Sequence, residues 1–381
     1  MEIYFDNSAT TKPYDEVAAA VFDTMKNNYG NPSSLHKLGI EAERAVKQAK
    51  ERVAAALKVS PNEIFFTSGG TESDNIAILG VAKASRGRHI ISTPLEHPAV
   101  LNTLSELESR GYHVDYAPVG KDGKVILSEF KKLIRPDTIL VTAMLVNNEI
   151  GTIEPVAEMS RILKSKNPRA VFHVDAVQGF GKIHMTADSL GADLISLSSH
   201  KIHGPKGMGA LYIRKGTRLR PIMFGGGQQQ GIRSGTENVP GIVGFGLAAK
   251  IAVTDLNEKT AKMEKLKTRL RNEIKNSIDN IMINTPENNA PHILNVSFGG
   301  VKAEVVLHSL EMQDIYVSSG SACSSHKKEP SYVLTEIGVP RQMIDGSIRF
   351  SLSEFNTEED VDTTVEALKK IIPRLRKLNM R

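Results

Sequence analysis

Residues 193–207, "DLISLSSHKIHGPKG", form a short apolar run that ends abruptly in polar residues and glycine. Such a run predicts a buried strand followed by a turn. Similar runs lie upstream: "EIFFTSGG" (63–70), "HIISTP" (89–94), "YHVDYAP" (112–118), "TILVTAML" (138–145) and "AVFHVDA" (170–176). Helix-like segments separate several of them, and the longest, residues 40–57, places Ile40, Ala49 and Val53 at helical spacing. This alternation predicts an α/β fold with a mostly parallel sheet covered by helices.

The pattern changes after residue 255. The segment "KMEKLKTRLRNEI" (262–274) predicts a polar helix with one apolar face, formed by Met263, Leu266, Leu270 and Ile274. Two strand-like runs, "HILNVSF" (292–298) and "IRFSLS" (348–353), and an amphipathic helix over residues 358–372 follow. We therefore predict a large α/β domain over residues 15–255 and a smaller α+β domain formed by residues 1–14 and 256–381.

Composition narrows the class of protein. Hydrophobic residues make up 40% of the 381 residues, enough for a sizeable core, and Cys323 is the single cysteine. One thiol excludes an intrachain disulfide and a zinc or iron–sulfur site built from several cysteines of one chain. The first residues include early acidic side chains and no apolar signal-peptide core, and no run approaches the length of a membrane span. We expect a cytoplasmic protein with no membrane partner.

The net charge is +5, and part of the excess is local. Basic residues crowd the C-terminal segment and follow the cysteine, at Lys327, Lys328, Lys369, Lys370, Arg374, Arg376, Lys377 and Arg381. Solvated helix faces explain such a pattern, and docking to an acidic protein or to RNA phosphates is the alternative. We expect no direct binding of nucleic acid.

Polar residues follow the strands, at the carboxyl ends where ligands bind in open α/β sheets. After "EIFFT" come Ser68, Gly69, Gly70 and Thr71, and then a helix begins. Glycines let backbone amides approach an anion, and a helix N-terminus favours negative charge. The pattern predicts a phosphate-binding turn, although a plain strand–helix turn capped by Thr71 or Ser73 has the same sequence features.

Two ionisable side chains at strand ends indicate the chemistry. Asp175 follows "AVFHV", where a buried carboxylate can keep a ring nitrogen protonated or, alternatively, cap a loop. Lys201 follows "DLISLSSH", where burial lowers the pKa of an amine and suits Schiff-base chemistry, unless the side chain extends to solvent. Lys206, in the glycine-rich turn beyond, is the competing lysine. An acid, a lysine and a phosphate-binding turn together predict a pyridoxal phosphate pocket.

The sequence as a whole resembles the cysteine desulfurases of the NifS/IscS type, within the class V aminotransferase branch of the fold-type I pyridoxal phosphate enzymes. The motifs that carry the resemblance run nearly from end to end: "YFDNSATT", "GNPSSLH", "FTSGGTESDN", "EHPAV", "VNNEIGTI", "HVDAVQ", "SSHKIHGPKG", "RSGTEN", "SSGSACSS", "EPSYVL" and "IRFSLS". The resemblance implies a seven-stranded sheet in the large domain, L-cysteine as the substrate, and a homodimer.

The resemblance also implies roles for individual residues. Lys201 is expected to form the Schiff base, Asp175 to pair with the pyridine nitrogen, and Gln178 to pair with the ring hydroxyl. His97 is expected to stack on the ring and to shuttle protons, although a lone histidine is more often structural. The other expected cofactor contacts are Gly70, Thr71, Asn148, Ser198, Ser199, His200 and, from the partner subunit, Thr236. No metal site is expected.

The lone cysteine lies in the serine- and glycine-rich run "SSGSACSSHKKEPS" (318–331). By the resemblance, Cys323 is a nucleophile that takes the substrate sulfur as a persulfide, releases L-alanine, and passes the sulfur to an acceptor protein. Its loop is expected to move between substrate and acceptor. Asn148 and Arg349 are expected to bind the substrate carboxylate, because a guanidinium group binds carboxylates bidentately.

The acceptor and the reaction have alternatives. The sequence stops at "RKLNMR", without the longer tail with which related enzymes dock an iron–sulfur scaffold, so we favour a tRNA-thiolation enzyme as the acceptor over that scaffold. Competing functions are selenocysteine lysis or aminotransfer on the same fold, a sulfur carrier without catalysis, and a hydrolase that pairs Cys323 with His326. The hydrolase leaves Lys201 and Asp175 unexplained.

Overall fold

The computed structural model describes residues 2–319 and 330–379. Within these ranges the strands are β1 (Ile3–Tyr4), β2 (Ile64–Thr67), β3 (His89–Ser92), β4 (His113–Tyr116), β5 (Thr138–Met144), β6 (Val171–Asp175), β7 (Leu194–Ser198), β8 (Gly209–Ile213), β9 (Ile281–Ile283), β10 (Ile293–Phe298), β11 (Ile315–Tyr316) and β12 (Ser347–Ser351). The α-helices are α1 (Asp15–Asn27), α2 (Lys37–Leu57), α3 (Gly70–Ala84), α4 (Pro98–Ser109), α5 (Leu127–Leu133), α6 (Val156–Lys166), α7 (Ala187–Leu190), α8 (Val239–Val253), α9 (Leu256–Ser277), α10 (Ala303–Glu311), α11 (Tyr332–Glu336), α12 (Arg341–Ile344) and α13 (Glu358–Asn379). Short 3₁₀ turns lie at Pro61–Glu63, Ser199–Lys201 and Gln229–Gly231.

A seven-stranded sheet has the strand order β2-β8-β7-β6-β5-β3-β4. The strands from β7 to β4 pair in parallel, whereas β8 is antiparallel to both of its neighbours. Every residue of β5, β7 and β8 is buried, because helices cover both faces. The predicted α/β class with a mostly parallel seven-stranded sheet is confirmed. Strand β8, which begins in the glycine-rich turn after Lys206, was not among the predicted strands.

Neighbouring side chains of one strand point to opposite faces of this sheet. Phe66 and Ile195 pack in the core that α2, α6 and α8 complete, and Phe65 and Leu194 pack in the core with α3 and α4. The predicted apolar face of α2 is partly wrong. Ala49 and Val53 are buried, but Ile40 is 40% exposed, because its nine-residue separation from Ala49 places it on the opposite side of the helix.

A second core surrounds the antiparallel strands β9, β10 and β12. Helices α9, α10 and α13 contribute Leu270, Val306 and Leu368 to it. The N-terminal strand β1 pairs in parallel with β11, and Ile3 and Phe5 join the same core. The domain boundaries at residues 14 and 255 stay a prediction.

The helices of this second part follow the predicted pattern with one difference. The apolar face of α9 is buried at Met263, Leu266, Leu270 and Ile274. Helix α13 was predicted to end at residue 372 but continues through Pro373 to Asn379, because Leu375 still packs against the core. No single helix of the described ranges is long and apolar enough to cross a membrane, and only the bent pair α8–α9, at 74°, has the length and composition for it when taken together.

Candidate active site

The carboxyl ends of five strands meet at one edge of the large sheet. Strands β3, β5, β6 and β7 are parallel, and β2 runs in the same direction because β8 is antiparallel to both β2 and β7. The segments that end or follow these strands carry Gly70, His97, Asn148, Asp175 and Lys201. The charges of Lys201 and Asp175 both shift the pKa of His97, and those of His97 and Lys201 shift the pKa of Asp175. The fold thus brings together residues that are far apart in the chain.

Asp175 is the last residue of β6 and is buried. Its Oδ1 accepts a hydrogen bond of 2.9 Å from the backbone N–H of Val177. Burial raises the pKa of the Asp175 carboxyl group, and the neighbouring His97 and Lys201 oppose that rise. A carboxylate in such surroundings gains from a cationic partner, which a protonated ring nitrogen supplies.

A buried polar layer lies beneath Asp175. His173 Nδ1 lies 2.8 Å from Thr142 Oγ1, and its Nε2 lies 2.9 Å from Ser196 Oγ. Burial lowers the pKa of His173 to about 3, so the ring is neutral. Asp74 lies 3.6 Å from His173 Nε2, and burial and the charge of Asp175 raise its pKa well above the ordinary value. The layer therefore disfavours a second negative charge next to Asp175.

Lys201 follows β7 and is half-buried, whereas the competing Lys206 is exposed. The Nζ of Lys201 donates to the carbonyl oxygens of Ser8, at 2.5 Å, and Ala9, at 2.7 Å. The side chain of Gln178 donates to the same Ser8 carbonyl at 2.9 Å. Residues 6–11 therefore form one wall of the site. No role was predicted for this segment, although it lies within the motif "YFDNSATT", one of those that carry the resemblance.

The turn before α3 has the features that an anion needs. Gly69 is the N-cap of α3, and no side chain from residues 2–319 or 330–379 caps the first amides of the helix. A Cβ atom added to Gly70 would lie 2.8 Å from Val177 Cγ2, so a glycine is required for this close approach. His200 Nδ1 lies 3.1 Å from Thr10 Oγ1, and burial, with the charge of Lys201, lowers the pKa of His200 to about 4. A neutral imidazole and free amides suit a phosphate group.

The other predicted phosphate contacts fall in two places. Ser198 and Ser199 are buried at the end of β7, and Ser199 Oγ has no hydrogen-bond partner among residues 2–319 and 330–379. Thr71 is exposed in the first turn of α3. Thr236 is exposed on the loop of residues 225–238, and its predicted contact belongs to the partner subunit's pocket.

The same loop reaches the start of α3 through an ion pair that was not predicted. Arg233 Nε lies 3.0 Å from Glu72 Oε1. Although burial would raise the pKa of Glu72, hydrogen bonds from the Ser68 amide and from Arg233 keep it below its ordinary value. Arg233 thus balances the one acidic charge in the first turn of α3.

His97 is the N-cap of α4. Its Nδ1 accepts a hydrogen bond of 3.1 Å from the backbone N–H of Ala99. Burial lowers its pKa, Asp175 raises it and Lys201 lowers it, so the neutral form is favoured. With Nδ1 as an acceptor, the ring proton lies on Nε2. A groove of about 430 Å³ opens beside Thr71 and His97, between α3 and α4.

Arg349 on β12 lies across the site and is 2% exposed. Its Nη2 donates to Asp6 Oδ1 at 2.7 Å, and its Nη1 donates to the Asn148 carbonyl at 3.0 Å. Two buried atoms, Arg349 Nε and Asn148 Oδ1, have no hydrogen-bond partner within the described ranges. Next to them, burial raises the pKa of Glu149 to about 7. A buried guanidinium with an unused donor fits a carboxylate ligand.

The residues present fit pyridoxal phosphate. The free amides of α3 suit its phosphate, Asp175 suits its ring nitrogen, and the amine of Lys201 suits its aldehyde. Asn148 and Arg349 remain for a substrate carboxylate. Cys323 lies outside the described residues, so its predicted role stays a prediction.

Comparisons with known proteins agree with this arrangement. The class V aminotransferase family model matches residues 3–364. Over 381 aligned residues the chain is 44% identical to a cysteine desulfurase IscS from Dictyoglomus turgidum. The alignment covers 99% of this chain and 96% of that relative. A solved NifS-like protein is 45% identical to this chain, with a TM-score of 0.93. The match covers 98% of this chain and 100% of the NifS-like protein. The structure of SspA in complex with cysteine has a TM-score of 0.82 at 33% identity. The match covers 94% of this chain and 100% of the SspA chain.

These likenesses span nearly the whole chain and agree with the pocket at the carboxyl edge of the sheet. The chain therefore belongs to the class V aminotransferase family and is a pyridoxal phosphate-dependent cysteine desulfurase.

Proposed function

We propose that this desulfurase uses Lys201, Asp175 and His97 to release sulfur from L-cysteine, takes the sulfur as a persulfide on Cys323, and passes it to an acceptor protein in the cytoplasm. The meeting of those three side chains at one edge of the sheet carries the assignment. Pyridoxal phosphate, when bound, supplies the electron sink for the reaction.

The protein first binds and orients the substrate. Arg349 donates to Asp6 and to the Asn148 carbonyl, which fixes the plane of the guanidinium. Its buried Nε and the side-chain amide of Asn148 are the groups left for the carboxylate of L-cysteine. Burial of Arg349 strengthens this contact, because few water molecules compete with it.

Protons are then moved by three side chains. Lys201 Nζ takes the proton from Cα of L-cysteine, and the Ser8 and Ala9 carbonyls orient that nitrogen. When pyridoxal phosphate is bound, the negative charge of Asp175 would keep a proton on the pyridine nitrogen of the cofactor. His97 is neutral and carries its proton on Nε2, which can donate that proton during the reaction. Its Nδ1 accepts the hydrogen bond from the Ala99 backbone N–H, which fixes the ring.

Sulfur transfer follows. The Cys323 thiolate attacks the substrate Sγ, the Cβ–Sγ bond breaks, and a new S–S bond forms. The electron pair of the broken bond stays with Cβ, which takes a proton, and Lys201 returns a proton to Cα, so that L-alanine leaves and Cys323 carries the persulfide. An acceptor thiolate then attacks the outer sulfur and restores the Cys323 thiolate.

Release of L-alanine from L-cysteine tests these roles. Lys201→Ala is expected to abolish alanine release, whereas Lys206→Ala, an exposed lysine five residues away in the chain, is expected to keep it. Full activity of Lys201→Ala, or loss in both variants, would remove Lys201 from its proposed role.

A homodimer is supported by an exposed apolar surface. Large apolar side chains on α1, the following loop and the start of α2 are exposed: Phe22 by 66%, Met25 by 64%, Tyr29 by 72%, Leu35 by 96% and Ile40 by 40%. Several large apolar side chains exposed in one stretch of a chain are a feature of protein–protein interfaces. A second copy of the chain is the proposed occupant, since the predicted contact of Thr236 is made in the partner's pocket.

The acceptor is proposed as a protein of one of two classes. A tRNA-thiolation enzyme is the acceptor favoured from the sequence, and an iron–sulfur scaffold is the alternative. The name IscS, which several of the similar curated proteins carry, supports the scaffold. Transfer of ³⁵S from the labelled enzyme to each class of acceptor in one competition experiment separates the two.

A further inference from the structure

Three side chains that can bind metal ions converge at the edge of the sheet opposite the active site. His89 begins β3 and His113 begins β4, and the two residues are register partners in these parallel strands. Asp115 lies two residues beyond His113, so it projects from the same face of β4. The cluster therefore lies at the amino ends of the strands, whereas the active site lies at their carboxyl ends.

The ligand atoms of the cluster are close together. His89 Nε2 lies 3.0 Å from Asp115 Oδ2, and His113 Nε2 lies 3.0 Å from Asp115 Oδ1. All three ligand atoms lie within 4.8 Å of one another. Ligands bound to one Zn²⁺ ion at about 2.0–2.2 Å cannot be further apart than roughly 4.4 Å. Small side-chain movements would therefore bring the three atoms onto one ion.

Thr138 prepares His89 for this role. Its Oγ1 lies 2.7 Å from His89 Nδ1 and also accepts from the backbone N–H of Arg135 at 2.9 Å. A threonine hydroxyl can donate to one neighbour and accept from two others. When His89 Nε2 gives up its proton to bind an ion, Nδ1–H can donate to Thr138. Such a partner on the far nitrogen is what orients metal-bound histidines.

The exposure of the three side chains suits a metal ion. The side chain of His89 is fully buried, but those of His113 and Asp115 are 60% and 27% exposed. An ion would thus have a fixed ligand on the inner side and room for water on the outer side.

We propose that His89, His113 and Asp115 form a binding site for a divalent first-row transition-metal ion, with Zn²⁺ as the representative. Two imidazoles and one carboxylate favour such an ion over Mg²⁺ or Ca²⁺, which prefer oxygen ligands only. The site was not expected from the sequence, because only the pairing of β3 with β4 places His89 beside His113. The proposal is independent of the catalytic roles proposed above.

Titration calorimetry with Zn²⁺ tests the site in the pyridoxal phosphate-loaded protein. Cys323→Ala is used as the background, because it removes the single thiol that could compete for the ion. The background protein is expected to bind one Zn²⁺ per chain. Adding His113→Ala is expected to weaken that binding at least tenfold, since loss of even an outer partner of a metal ligand costs about 10–100-fold. His113 is chosen over His89, whose burial makes folding of a variant uncertain.

His308→Ala provides the matched control, because His308 is an exposed histidine that pairs with a carboxylate, Glu311, at 2.9 Å. It is expected to leave Zn²⁺ binding unchanged. Asp115→Asn, which keeps the shape of the side chain, is expected to weaken binding as His113→Ala does. Absence of saturable Zn²⁺ binding to the background protein, or equal binding in the His113 and Asp115 variants, would overturn the proposal.

Discussion

Replacing Arg349 by lysine keeps the positive charge at the substrate-binding side of the pocket but removes its planar fork. The arginine donates to Asp6 at 2.7 Å and to the Asn148 carbonyl at 3.0 Å, and its Nε has no partner within the described ranges. A single ammonium group cannot make all of these contacts together with a bidentate contact to a carboxylate. Arg349→Lys is therefore expected to lose at least one hydrogen bond to the substrate.

The size of the effect follows from that loss. A hydrogen bond between charged groups contributes about 1.5–3 kcal/mol. Its removal corresponds to a fall of roughly 10- to 150-fold in kcat/KM. Because the carboxylate does not react, it is bound about equally in the ground state and in the transition state. The change is therefore expected mainly in KM, with kcat largely kept.

The assay is the initial rate of L-alanine formation over a range of L-cysteine concentrations. Arg341→Lys is the matched control, because Arg341 is an exposed arginine of α12 paired with Asp345 at 3.3 Å. Thermal unfolding of both variants shows whether loss of the ion pair between Asp6 and Arg349 lowers the stability of the protein. A KM for Arg349→Lys within about twofold of the unmodified enzyme, at an unchanged Tm, would refute the binding of the carboxylate by Arg349.

Three further predictions concern stability, cofactor binding and assembly. Burial raises the pKa of Glu154 to about 8 from an ordinary 4.5, so the folded chain keeps a proton that the unfolded chain releases, and stability falls as the pH rises through this window. Glu154→Gln, whose amide oxygen can still accept from the Val125 N–H, is expected to show a smaller fall in Tm over that window; equal slopes would contradict it. Gly70→Ala forces a contact of 2.8 Å with Val177 and costs about 1–3 kcal/mol of strain. Pyridoxal phosphate is therefore expected to bind more weakly to this variant in equilibrium dialysis, and an unchanged affinity would exclude this packing. Leu35→Glu places a charge on a side chain that is 96% exposed, and light scattering is expected to detect monomers; a stable dimer would place the interface elsewhere.

The strands that carry the site could be predicted because their apolar runs are buried on both faces and end in polar residues. Asp175 and Lys201 were found in this way, since a charged side chain at the end of a buried strand stands out in the sequence. Strand β8 was missed because it begins with glycine beyond a glycine-rich turn and is defined by its antiparallel pairing with β7. Ile40 was expected on the apolar face of α2, but its nine-residue separation from Ala49 places it on the opposite side of that helix, where it is exposed.

Contacts that depend on the assembled fold could not be predicted. The carbonyl groups that bind Lys201 belong to Ser8 and Ala9, which lie 193 and 192 residues earlier in the chain, in the segment predicted to belong to the small domain. Asp6 contacts Arg349 only because β1 pairs with β11 and the segment after it lies beside β12. No local sequence pattern relates these partners to one another. Every residue has a backbone carbonyl group, so residue type does not indicate which carbonyl group accepts a given hydrogen bond.

The most direct test of the central claim is the intact mass of the enzyme after incubation with L-cysteine in the absence of reductant, measured beside Cys323→Ala. We predict one added sulfur atom on the unmodified enzyme, removed by a thiol and absent from the variant, together with release of L-alanine. Release of L-alanine with no added sulfur would mean that sulfide leaves directly. A sulfur atom that persists on the Cys323→Ala variant would likewise contradict the role of Cys323 as the residue that receives the sulfur.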